Sequence, residues 1–266
     1  MLTRKNEKRI LRTCVNKSKL VFGLFKKTSA ESVDHSWNAM YKVGGVAFII
    51  IGIWYALGNY WGYIFGIPAS GFATPPIATS EAYFNVLASY PFASTIFYSM
   101  YSLTDLLAIP ALVALYLALK GINKNSMLVA MGLVALWAFI DIGVTEFNSL
   151  TLISLAQSYN VATDATQRAA YMAASNYTLA AIPIATFYSY FIGSLGFLIA
   201  SIVMLKGVFR KVVGLIGIVC NLLGIISAFV LFAPDLAQLI FPTLNLYGLW
   251  NILVGAQLIR LGNRTS

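Results

Sequence analysis

Asp105 and Asp141 are the residues in this sequence best placed to do chemistry, because each lies well inside a long apolar run. The run around Asp105 spans 92–119 and reads FASTIFYSMYSLTDLLAIPALVALYLAL. At about 1.5 Å per residue, a helix of this length crosses a hydrocarbon core of roughly 30 Å. A carboxylate inside such a helix costs roughly 2.5–3.5 kcal/mol on insertion scales, so the folded protein must offset it. No Lys or Arg lies deep in any apolar run to pair with either acid. Each acid must therefore be protonated, hydrogen-bonded, bound to a cation, or in contact with a watery cavity.

Helical spacing sets Tyr98, Tyr101, Ser102 and Asp105 on one face. A second face carries Trp137, Asp141, Thr145 and Asn148, while Glu146 falls near the expected membrane boundary. Asn59, Thr104, Asn221, Asn245 and Asn251 are further polar residues that could serve the acids. The chemistry this allows is a proton or cation relay, or an anchor for a cationic ligand. The competing reading is polar glue, a hydrogen-bonded Asp that ties helices together. The expected ligand or ion pathway consists of Asp105, Asp141, Tyr101, Ser102 and Asn221.

Other chemistries have little to stand on. His35 is the one histidine and precedes the first apolar run, which argues against a bis-histidine haem or a zinc or copper site. No mid-run Lys could form a Schiff base, and no Gly-x-Ser-x-Gly, His-Glu-x-x-His or phosphate-loop motif occurs. The expectation is no cofactor, no metal and no catalytic residue. A pairing of Asp105 with Asp141 across helices is the best enzyme candidate.

The elements that must position the acids are transmembrane helices. Of the 266 residues, 59% are hydrophobic and 10% charged, with mean hydropathy +0.77, which marks an integral membrane protein. Six apolar runs are expected to span, at about 43–66, 92–119, 127–147, 178–205, 212–233 and 239–259. The fold class is thus all-α, a six-helix transmembrane bundle over 43–260. It follows a basic tail at 1–42 and leaves a short C-terminal segment at 261–266. The segment 81–90 reads as a short interfacial helix ending at Pro91, 149–159 as an extension of the third run or an interfacial piece, and 164–177 as a short helix outside the core.

The net charge of +9 does not point to nucleic acid, because the basic residues flank the apolar runs. Setting both termini in the cytoplasm puts every Lys and Arg except Arg168 on the inside. The tail carries Leu11, Cys14, Val21 and Phe25 near helical spacing among basic residues, a pattern suited to an anionic lipid surface as well as to a disordered topology signal. Cys14 and Cys220 should sit at different depths, so no disulfide is expected.

Small residues mark the expected helix-packing faces: Gly58, Gly62 and Gly66 on the first run, Gly214, Gly217 and Gly224 on the fifth. A shift of 86 residues aligns Leu119-Lys120-Gly121 with Leu205-Lys206-Gly207, a weak repeat in which Asp105 falls opposite Phe191.

The C-terminal run NLYGLWNILVG at 245–255, followed by basic residues, resembles the last span of uncharacterised six-span prokaryotic membrane families of the domain-of-unknown-function type. That resemblance implies a prokaryotic cell-membrane protein and carries over no site residue. Two functions fit the sequence. One is a small transporter or ligand-binding bundle with an interior carboxylate. The other is an accessory subunit of a larger membrane complex, docking through its small-residue stripes and its tail. Partners are the bilayer and other membrane chains, or further copies of this one.

Overall fold

The computed structural model describes residues 34–67 and 80–264, and every regular element among them is helical. Most of the basic tail, the Pro-rich loop before residue 80 and the last two residues lie outside the described residues. The helices are α1 (Asn38–Phe65), α2 (Ser80–Ser89), α3 (Pro91–Ile140), α4 (Phe147–Val161), α5 (Ala165–Met204), α6 (Lys211–Ala228) and α7 (Ile240–Gly262). A wide π turn, Asp141–Glu146, joins α3 to α4 without interrupting the rod. Five stretches are long and apolar enough to cross a membrane, and one of these runs continuously from Pro91 to Val161. Asn123 breaks that stretch with non-helical backbone (φ −154°, ψ 88°), so the rods number six when the break is counted. Its side chain accepts the Ser126 N–H at 3.0 Å, starting the second arm as an N-cap does.

The two arms of α3 fold back on each other, since Asp105 in the first lies within electrostatic reach of Asp141 and Glu146 beyond the second. The sequence reads as a polar turn from Lys120 to Asn125 here; the backbone leaves helical geometry at Asn123 alone. Two other boundaries also differ. The Ala-rich segment at 164–177 is the first third of the 40-residue α5, whose N-terminus is capped by Asp164 accepting the Gln167 N–H at 2.8 Å. Alanine carries no side-chain entropy cost in a helix, and Pro183 does not stop the rod. Pro91 opens α3 at its first turn, where a missing N–H costs nothing.

Glycines fix how closely the rods approach. In α1 and α7 the pairs Gly45/Gly255 and Gly52/Gly248 bring backbone against backbone, and Gly262 meets the Asn38 carbonyl in the same register. The contacts recur every seven residues along both helices, the period of a left-handed antiparallel supercoil. The anticipated stripe Gly58/Gly62/Gly66 divides into three separate roles. Gly62 faces the Phe97 ring, Gly58 makes room for the Trp54 indole of its own helix, and Gly66 packs against nothing. Gly66 instead takes φ 65° and ends α1 with a left-handed cap.

Three apolar cores result among the described residues, a minor one of Val230, Ile240 and Leu244 and two main ones. The larger gathers Leu115, Leu119, Met127, Met204, Val213 and Leu258 towards the end of the bundle where Lys120, Lys124, Lys206, Lys211 and Arg260 lie. The smaller, with Tyr83, Phe84, Phe97, Leu152 and Ile182, sits at the opposite end, where α2 leans on α4. Phe84 stacks on Tyr159 there, with ring centroids 5.6 Å apart. The polar site lies between the two main cores.

Candidate functional site

Asp105 and Asp141 stand at one level because each lies 18 residues from Asn123, one before it and one after. Counted from Lys120 and Lys124, that level is about 22–25 Å along the helices at 1.5 Å per residue. Asp105 is 1% exposed. Asp141 is half-buried and interacts with the hydroxyls of Ser189 on α5 and Thr145 on its own turn. These contacts fall short of full hydrogen-bond geometry, since both hydroxyls remain without a partner that meets it.

The structure adds a third acid. Glu146 is 2% exposed and lies within electrostatic reach of Asp141, Asp105, Tyr98 and Tyr101. Its burial follows from the π turn. In an α-helix the fifth residue on points about 140° away from the first. A turn closed by i→i+5 bonds brings it back to the same side, so Asp141, Thr145 and Glu146 all face inward. Counting at helical period set Glu146 near the boundary, and nothing in the run DIGVTE signals the wider turn. What acts on these acids is one another and neighbouring hydroxyls; no Lys or Arg among the described residues reaches them.

Aromatic residues wall the cluster. The Tyr101 ring meets Trp54, Tyr55 and Phe97 at centroid distances of 5.9, 5.9 and 5.0 Å. Towards the far core, the hydroxyls of Tyr98 and Tyr83 share a hydrogen bond of 2.9 Å, which ties α2 to α3 above Glu146. Ser102, expected in the pathway, is half-buried and donates to the Tyr98 carbonyl of its own helix at 3.2 Å.

On the other side of the acids lies a cavity of about 50 Å³. Tyr55, Ser189 and Tyr190 line it on the acid side, Trp137 and Phe197 on one flank, and Ser194, Tyr247 and Asn251 beyond. Tyr247 donates to Asn221 Oδ1 at 2.7 Å and shares a 2.8 Å hydrogen bond with Ser194. Asn221 Nδ2 in turn donates to the Gly217 carbonyl at 2.6 Å. Gly217 and Gly224 give this network its space. A Cβ on Gly224 would strike the Ser194 and Tyr247 hydroxyls, and one on Gly217 the Ser201 hydroxyl and the Trp250 indole. Gly214 faces Leu205 and the Ser201 carbonyl. Asn221 is therefore bonded to Tyr247 and Gly217, and it is not among the groups that act on the two aspartates.

Among the described residues, no three His, Cys, Asp or Glu side chains stand close enough to hold a metal ion. No family model matches the chain, and no curated protein or solved structure does either.

Proposed function

We propose that this chain is a multi-pass membrane protein that binds a positively charged solute at its interior carboxylates and acts as a small transporter for it. The observation that carries the reading is the group of buried Asp105 and Glu146 with half-buried Asp141, next to a cavity that Ser189 lines, with no basic residue among the described residues reaching it. Burying uncompensated acids is costly, and intramembrane acids most often mark ion or substrate pathways. The bundle sits with its basic end towards the cytoplasm, in keeping with the general excess of Lys and Arg in cytoplasmic loops. The basic N-terminal tail then lies against anionic lipid.

The test is reconstitution of the purified chain into liposomes, with charge movement recorded during concentration jumps of cationic solutes. Asp105→Asn should abolish the signal while the protein still folds, and Asp235→Asn, at an exposed position, should leave it intact. Full signal from Asp105→Asn would remove the interior acid from the mechanism. Native mass spectrometry of gently extracted protein adds a second check, because a stable stoichiometric complex with other chains would favour the accessory-subunit role.

A further inference from the structure

Five buried oxygens around the acid cluster lack a hydrogen-bond partner of good geometry: Asp105 Oδ2, Glu146 Oε2, Tyr101 Oη, Thr145 Oγ1 and Ser189 Oγ. Their residues are at most 5% exposed. They come from the first arm of α3, from the π turn and from α5, so no single helix accounts for them. Buried oxygens that lack good hydrogen bonds are costly, and a positive centre among them would offset that cost. We propose that a monovalent inorganic cation of about the size of Na+ binds between Asp105 and Asp141, with the Thr145 and Ser189 hydroxyls completing its shell. The proposal rests on the reading of these acids as a cation site and names the ion.

The donor set selects the ion class. Carboxylate and hydroxyl oxygens suit a hard cation rather than a soft metal. A divalent ion would call for more carboxylates together than the cluster supplies, since its three acids do not converge as a metal-binding group. The π turn sets Asp141 and Thr145 on one face, and Ser189 closes the opposite side from α5. Ser189 also lines the neighbouring cavity, whose 50 Å³ has room for about four waters at 10–15 Å³ each. That space suits the remaining hydration of a small ion and is too small for a bulky organic cation.

The experiment measures binding of radioactive Na+ to the purified full-length protein, with competition by LiCl, KCl and choline chloride. Saturable binding is expected, displaced by NaCl and not by choline chloride, and NaCl should raise Tm above its value in choline chloride. Thr145→Val and Ser189→Ala should each weaken Na+ binding roughly tenfold or more, the loss that follows from removing a contact to a charged centre. Asp141→Asn should abolish it. Ser201→Ala is the folding control, because this buried hydroxyl bonds only to the Phe197 carbonyl of its own helix. It should bind Na+ as the parent does. Absence of saturable binding by any alkali cation in folded parent protein would overturn the proposal, as would full affinity in both hydroxyl variants. If Na+ fails to bind while Asp105→Asn still abolishes solute-driven currents, the ion assignment alone falls. If the currents are also indifferent to Asp105 and Asp141, the transport reading falls with it.

Discussion

Gly52 and Gly248 meet backbone to backbone. A Cβ on Gly52 would stand 2.6 Å from the Gly248 carbonyl oxygen, and one on Gly248 would stand 2.8 Å from that of Gly52. The contact is reciprocal, so neither helix can yield without moving the whole pair. Gly52→Leu should destabilise the protein by about 1–3 kcal/mol or more, the usual cost of overpacking. Gly132→Ala is the opposite case, an exposed helical glycine whose added Cβ would meet nothing within 4 Å. It should stabilise by about 0.5–1 kcal/mol. Thermal unfolding of the two variants in one detergent checks both signs.

Glu146 is as deeply buried as Asp105, and the two should behave alike. Glu146→Gln is expected to lower the solute-driven signal at least as far as a conservative change at half-buried Asp141 does. Asp164→Asn, at an exposed helix cap, should not change it. A Glu146→Gln protein with full signal would separate this acid from the other two.

Deleting Gly143 tests the π turn directly. One residue fewer lets the segment revert to ordinary α geometry while α4 keeps its face. Helix content by circular dichroism should hold, and Glu146, then the fourth residue after Asp141, should stay on the same face as that acid. A retained fold with the solute-driven signal preserved is the expected result, and loss of the signal would show that the wide turn itself is needed.

Tyr247→Phe removes one hydroxyl from a buried chain of hydrogen bonds and leaves Asn221 Oδ1 without its 2.7 Å donor. An unsatisfied buried acceptor costs about 1–3 kcal/mol. Tm should fall accordingly, and Asn221→Leu combined with Tyr247→Phe should recover part of the loss, because both partners are then apolar.

The rods were legible because apolar runs of membrane length have few alternative structures. The acids Asp105 and Asp141 were legible because a carboxylate in such a run is conspicuous. Glu146 was not, since its inward direction depends on one extra residue per turn over Asp141–Glu146, and this leaves no mark in residue type. The true contact glycines Gly45 and Gly52 were hidden among the β-branched and aromatic residues of α1, because they recur every seven residues. The four-residue pattern Gly58/Gly62/Gly66 drew attention instead. The one-residue reversal at Asn123 was hidden for a related reason: the Lys120 to Asn125 stretch reads as a polar turn whichever residue does the turning.

The aspartates lie off-centre, about 22–25 Å from the basic end of a core of about 30 Å. In a polarised membrane, an ion reaching them from the opposite end crosses only about a quarter of the electric field. With 2.3 kcal/mol per charge per 100 mV across the whole bilayer, that step carries roughly 0.5 kcal/mol per 100 mV. Occupancy from that side is then almost blind to voltage. The rest of the potential falls across the apolar plug around Leu119, Met127 and Met204, so any onward movement through it is the voltage-dependent step.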